Sequence, residues 1–157
     1  MVVSGVMLTF RHATANDAAL LAALNQRLIQ DEGHRNRMTL PELEGRMRTW
    51  LRTDYKAVLF EQAGELVAYA LYRPESGAIY LRQFFVSRER RRQGIGRAAI
   101  RLLLQQILPP AARIYLDVLS ANRSAHQFWR AVGFKDYAVT LEILRPEEGD
   151  QPVPGAP

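Results

Sequence analysis

The run Arg88-Glu89-Arg90-Arg91-Arg92-Gln93-Gly94-Ile95-Gly96-Arg97 constrains the fold more than any other stretch, because it joins an apolar strand directly to an amphipathic helix. Ala78 to Val86, entered through the turn residues Glu75-Ser76-Gly77, is rich in β-branched and aromatic residues and predicts a strand. From Ile95 onward, Ala98, Ala99, Leu102, Leu103 and Ile107 recur at the 3.6-residue period of a core-facing helix, with Arg97, Arg101 and Gln105 opposite. Glycines at 94 and 96 remove side chains where the backbone turns. Several N–H groups and the positive end of the helix can then meet one anion.

Spacing excludes the commonest phosphate loops. Gly-x-x-x-x-Gly-Lys-Ser/Thr is absent, and no third glycine follows to make a dinucleotide fingerprint. A second pattern lies about thirty residues on. Arg113 to Val118 predicts a strand, followed by Asn122-x-x-Ala125-x-x-Phe128-Trp129-x-x-x-Gly133-Phe134. Asn122 suits a helix N-cap, Ala125, Phe128, Trp129 and Val132 share a face, and Gly133 suits a left-handed C-cap. Taken in order, Arg91-x-x-Gly94-x-Gly96 and this Asn-to-Gly-Phe unit resemble the two signature motifs of the Gcn5-related N-acetyltransferase (GNAT) superfamily.

That resemblance implies an α/β (α+β mixed sheet) fold: a central, mostly antiparallel twisted sheet with helices on both faces and splayed central strands. It implies an N-acetyltransferase, an acyltransferase that binds acetyl-CoA (coenzyme A) and a primary amine together. The pantetheine arm would lie along Phe84, Phe85 and Val86 with Asn122 beside it. The pyrophosphate would meet Arg91, Arg92, Gln93, Gly94, Ile95, Gly96 and Arg97, and Phe128 and Trp129 would flank the cofactor. The Val86 backbone N–H would be the oxyanion donor. Arg123 or Arg130 would be near the 3′-phosphate. Many members carry a Tyr where this chain has Trp129, and an indole N–H cannot protonate a thiolate at neutral pH. Water or a hydroxyl of Ser120, Ser124 or Tyr137 would substitute, and an aromatic on an apolar helix stripe reads first as packing.

Acetyl transfer to an amine needs a neutral amine, although an alkylammonium titrates near ~10 in water. Glu32, His34 and Tyr80 are the base candidates. Glu32 and His34 fall in the polar break after the first helix, which lines the acceptor site in the family, and an exposed surface loop is the competing reading. Tyr80, Arg82, Phe84 and Val86 would share one strand face by alternation. A charged Arg82 within an apolar strand needs an anion, either an acceptor carboxylate or a structural salt bridge.

The rest of the chain reads as a first strand at Leu8 to Arg11, a helix opened by Thr14 to Asp17 and a second helix capped by Thr39 and Glu42. A hairpin around Ala63-Gly64 follows, Pro109-Pro110 ends the long helix, and a final strand spans Tyr137 to Leu144. Residues 1–145 form one domain, and the Pro- and Gly-rich tail 146–157 is expected to be disordered. At 157 residues, 48% apolar and 24% charged, one core suffices. The net charge of +5 comes from nineteen Arg and two Lys, many in or near the loop and its helix. An acidic ligand is implied. A nucleic-acid surface would need interleaved stacking aromatics, which here fall on core stripes, so no nucleic acid is expected. Without Cys there is no thiolate metal site, no metal is expected, and a cytoplasmic location is the default. No apolar window predicts a signal peptide or membrane span. The acceptor is taken as a small-molecule amine, with a protein or peptide amine, or acyl-CoA binding without turnover, as alternatives. A homodimer through edge strands remains open.

Overall fold

A computed structural model describes residues 6–146. Two tight turns build the centre of the sheet. Strands β2 (Lys56–Gln62) and β3 (Glu65–Glu75) are joined by Ala63 and Gly64 at φ of 50° and 80°, both left-handed, as the two-residue hairpin requires. A second two-residue turn, with Gly77 at φ 72°, leads into β4 (Ala78–Val86). With β1 (Thr9–His12) and β5 (Arg113–Tyr115) the sheet runs β1-β2-β3-β4-β5, antiparallel except for the parallel pair β4–β5.

Both faces of this sheet are apolar, so both must be covered. On one side lie α1 (Ala18–Glu32) and α2 (Leu40–Arg52). Leu21, Leu24, Leu28 and Met47 from these helices pack on Ala57, Leu59, Tyr69, Leu71 and Phe85. On the other side α3 (Ile95–Leu102) places Ile95, Ala99 and Ile100 against Val58, Phe60, Ala70, Tyr72, Ile79 and Leu81. Helix α4 (Arg123–Ala131) adds Phe128 and Trp129 to that layer. Among the described residues no helix is long and apolar enough to cross a membrane.

Local signals set the helix ends. The Thr39 hydroxyl accepts from the Glu42 N–H at 3.4 Å and donates to its carboxylate at 2.9 Å, opening α2. Gly33 closes α1 at φ 65°, with the His34 N–H donating to the Ile29 carbonyl at 3.0 Å. Gly133 does the same after α4 at φ 107°, and the Phe134 N–H reaches the Trp129 carbonyl at 2.9 Å.

Four expectations need correction. The helix opened by Thr14 starts as a short 3₁₀ turn, Ala15–Asp17, before α1. The long helix from Ile95 loosens into a π turn over Leu103–Ile107, where the Leu108 N–H reaches back five residues to Leu103. The strand expected over Arg113 to Val118 pairs for only three residues. The final strand at Tyr137 to Leu144 does not form: Tyr137, Val139, Leu141 and Ile143 are 80–89% exposed. Alternating apolar residues specify a face but not a neighbour, and a strand exists only when a second backbone accepts its hydrogen bonds. That segment is tethered through side chains instead, by Arg35 on Glu142 at 2.6 and 2.9 Å and by Arg113 stacked 4.8 Å from the Tyr137 ring. The expected disordered tail lies, from residue 147 onward, outside the described residues.

Met47 is fully buried where α2 meets the sheet. Met47→Ala is expected to cost about 2–5 kcal/mol in urea unfolding; a loss below about 1 kcal/mol would mean that α2 is not fixed by this contact.

Candidate active site

The site begins where β4 ends. Because the Ser87 N–H donates to the Val67 carbonyl at 2.8 Å, alternation along the antiparallel pair turns the N–H and C=O groups of Val86 and Phe84 away from β3. On that side β4 pairs with β5 only from Ala78 to Tyr80. The two strands then part, leaving the outer backbone edge of Leu81 to Val86 open. An extended chain with its own amides would fit there as an added strand.

The loop beyond supplies more donors. Arg90, Arg91 and Ala98 donate their N–H groups to Ser87, Arg88 and Gly94 carbonyls, but among the described residues nothing accepts from the six consecutive amides of Arg92 to Arg97. Arg92 at φ 62° and Gly94 at φ 78° turn this run into the start of α3. Unpaired successive amides at a helix start form an anion cradle. At Gly96 a Cβ would lie 3.1 Å from the Phe128 ring and 3.6 Å from Val86, so the missing side chain lets α3 approach both α4 and the end of β4. Ile95 is buried and anchors the helix start, whereas Arg92, Gln93 and Arg97 are exposed.

Arg91 is already engaged. Its Nε donates to the Val86 carbonyl at 3.1 Å, and its Nη2 reaches Asp31 at 2.5 Å, where Arg88 also binds at 2.5 Å. Asp31, at the end of α1, therefore fixes the loop from across the sheet. Burial raises the Asp31 carboxyl pKa, but the bonds and charges of Arg88 and Arg91 outweigh it and hold the group below its ordinary value.

On the α4 side, Phe84, Phe128, Trp129 and Phe134 form one aromatic cluster, with Trp129 centroids 5.4, 4.9 and 5.2 Å from the other three rings. Trp129 thus sits in packing. Asn122 caps α4, its Oδ1 accepting from the Ala125 N–H at 3.2 Å. Arg130 is held by Asp136 through two bonds at 3.0 and 2.6 Å.

The opposite side of β4 departs from simple alternation. Leu71 pairs with Gln83 but Tyr72 with Leu81, so Arg82 is the extra residue of a β-bulge. Before the bulge Ile79 and Leu81 face α3; after it Phe84 and Val86 do, while Phe85 faces α1. Tyr80, Arg82, Phe84 and Val86 therefore do not share a face. The bulge sends Arg82 toward α2, 4.6 Å from the Trp50 ring, with its Nη1 donating to the Tyr55 hydroxyl at 3.2 Å. Gln83 faces that side too, its Oε1 accepting from Tyr69 at 2.9 Å.

The three base candidates differ in setting. Glu32 is half-buried, and burial, then the neighbouring Asp31 charge, raise its carboxyl pKa. His34 is exposed, and its Nδ1 accepts from the Asn36 N–H at 3.2 Å. The Tyr80 hydroxyl donates to Asp117 at 3.1 Å, and burial followed by that carboxylate pushes its pKa up to about 12, so it stays protonated at neutral pH. Sequence reasoning missed Asp31, Arg46, Trp50 and Tyr55. Asp31 is 57 and 60 residues from its two partners, and no local spacing marks it.

Two measurements test this arrangement. Because the Asp31 pKa is depressed, its pairing stabilises the fold above the unfolded value of about 3.9 and is lost as pH falls through the folded value. Asp31→Asn should cost about 1 kcal/mol at pH 7, with the gap to the native chain closing in acid; a pH-independent difference would contradict the ion pair. Trp129→Ala should lower stability by about 2–3 kcal/mol, given its partial burial, and unchanged melting would remove it from the packing.

A comparison with curated proteins found no match. Among solved structures, the chain is similar to a "possible acetyltransferase" from Clostridium difficile 630 (TM-score 0.72, 15% identity, 89% of this chain and 98% of that one). It is also similar to a ribosomal-protein-alanine N-acetyltransferase from Brucella melitensis biovar Abortus 2308 (0.69, 16%, 88% and 100%). A third is the aminoglycoside N-acetyltransferase AAC(6')-Iy in complex with CoA (0.67, 13%, 92% and 99%). At these identities the likeness shows the fold. A model of the Acetyltransferase (GNAT) family matches residues 21–134, most of the chain and both motifs around the open strand edge, and the chain belongs to that family.

Proposed function

We propose that this chain transfers an acetyl group from acetyl-CoA to a primary amine of a small molecule, with both substrates bound at once. Acetyl-CoA is the acetyl donor of the family. The observation that carries the proposal is the run of six unpaired amides, Arg92 to Arg97, leading from the open edge of β4. Those amides and the α3 dipole suit a pyrophosphate, and the open edge at Phe84 to Val86 suits the amides of a pantetheine arm. When bound, acetyl-CoA supplies an activated acetyl thioester. Val86 turns its N–H into the gap between β4 and β5 and is in place to donate to an oxygen lodged there.

On the acceptor side Glu32 takes the proton that an ammonium must lose before it can attack. Burial and the neighbouring Asp31 charge raise its pKa above that of an ordinary Glu, which makes it a stronger base. Holding both substrates together supplies much of the remaining rate, since proximity alone is worth up to about 7–11 kcal/mol in ideal cases. The small-molecule acceptor is favoured by the compact polar cluster on the α2 side of the sheet, where the Arg46 and Arg82 guanidinium groups share the Trp50 ring beside the Tyr55 hydroxyl.

Gly94→Val should weaken coenzyme A binding by more than about tenfold in calorimetry, because its backbone sits at φ 78° and a side chain there would distort the cradle. Unchanged affinity would remove the loop from this account. Glu32→Gln should lower kcat about 100-fold or more. It should also abolish the acid limb of the pH profile, where the native rate falls as Glu32 protonates above the ordinary Glu value. An unaltered limb would assign the base elsewhere. Coenzyme A binding without thiol release across an amine panel would instead mark a module that binds acyl-CoA without turnover.

A further inference from the structure

Most arginines near the sheet have carboxylate partners: Arg11 with Asp17, Arg48 with Glu44, Arg73 with Glu75, Arg88 and Arg91 with Asp31, and Arg90 with Glu65. Arg46 and Arg82, like Arg113 on β5, have no ion pair to a described residue, and unlike Arg113 they share one aromatic ring. Both guanidinium groups lie over the same Trp50 ring, at 4.3 and 4.6 Å from its centroid. They are close enough that Arg82, after burial itself, lowers the Arg46 pKa. Of the five guanidinium donors of Arg46, one bonds to a protein group, Asn25 Oδ1 at 3.2 Å, and its Nε is buried with no partner. Arg82 makes a single bond, to the Tyr55 hydroxyl, which it shares with Arg73.

Arg82 is exposed and hydrated, but the Arg46 Nε is a buried donor with no partner beside a second cation, a setting that an anion would relieve. Helix α2 could have supplied one, as Glu44 does for Arg48, and does not. The β4 bulge puts Arg82 and Gln83 on the same side of the sheet, toward Trp50 and Tyr69. Glu32, half-buried at the end of α1, and Arg46 both act on the buried Tyr69. The cationic pair and this carboxylate thus both lie near Tyr69, and the carboxylate adjoins Asp31, which holds the anion loop.

We propose that the acceptor is a small amine that also bears a carboxylate, an amino-acid-like zwitterion, whose carboxylate is gripped by Arg46 and Arg82 against Trp50. Its ammonium then points to Glu32. A guanidinium fork matches a planar carboxylate in two parallel bonds, and two forks over one indole suit one such group. This inference rests on the acetyltransferase reading above. In the reaction the amine nitrogen bonds to the acetyl carbon as the carbon–sulfur bond breaks. The ammonium sheds two protons, one of which ends on the departing thiolate and the other in solvent.

The test uses the full chain with acetyl-CoA and matched acceptors: amino acids, their carboxamides, the decarboxylated amines, and phosphoethanolamine. Free thiol reports turnover, and calorimetry on protein without cofactor reports acceptor binding. The carboxylates should exceed their carboxamides by about 10- to 100-fold in kcat/KM and in affinity. Arg46→Gln and Arg82→Gln should erase that preference through KM, with Arg82→Lys retaining part of it. Equal use of acids and amides, a preference for the phosphate, or a preference that survives in both glutamine variants would overturn the proposal. Carboxylate-selective binding lost in those variants would uphold the subsite even if no thiol were released, and that result would count against the acetyl-transfer reading alone.

Discussion

The parting of β4 from β5 after three paired residues is the constraint on which the rest depends. A strand whose outer edge faces no neighbouring strand, its Val86 carbonyl met only by the Arg91 side chain, carries an unmet obligation, because backbone groups withdrawn from water need partners. The fold keeps this edge open by placing the start of α3 and the Phe84–Phe128–Trp129 cluster beside it, so that the gap stays lined while the backbone stays free. Six further unpaired amides follow directly along the chain. Nearly all of the cofactor side is thus backbone, held in position by packing.

This explains what could be read from the residues alone. Glycine spacing, the Asn122 cap and the apolar stripes of α3 and α4 are local signals, and each appears in the structure at its expected position. The hairpin at Ala63-Gly64 and the limits of β4 were legible for the same reason. The final strand was not, since its alternation is real but its partner is not encoded within it. Nor was the length of β5 pairing, which depends on how far α3 and α4 wedge the sheet apart.

The side proposed for the acceptor was harder to read because it is assembled from distant pieces. Arg46 and Trp50 on α2, Tyr55 before β2, and Arg82 on β4 come together only once the bulge exists. A bulge adds one residue and reverses every later side chain, and nothing in Leu81-Arg82-Gln83 announces it. Arg82 was recognised as a charge in an apolar strand that lacked an explanation; its surroundings required the fold.

Asp31 and Glu32 are consecutive at the end of α1, yet they serve different halves of the molecule. One clamps two arginines of the anion loop, and the other sits half-buried where its charge acts on Tyr69. A single peptide unit is thus the hinge pin between the two compartments. Neither the arginine clamp nor the lone carboxylate can shift without dragging the other, so in the proposed reaction the alignment of the two substrates is inherited from covalent geometry.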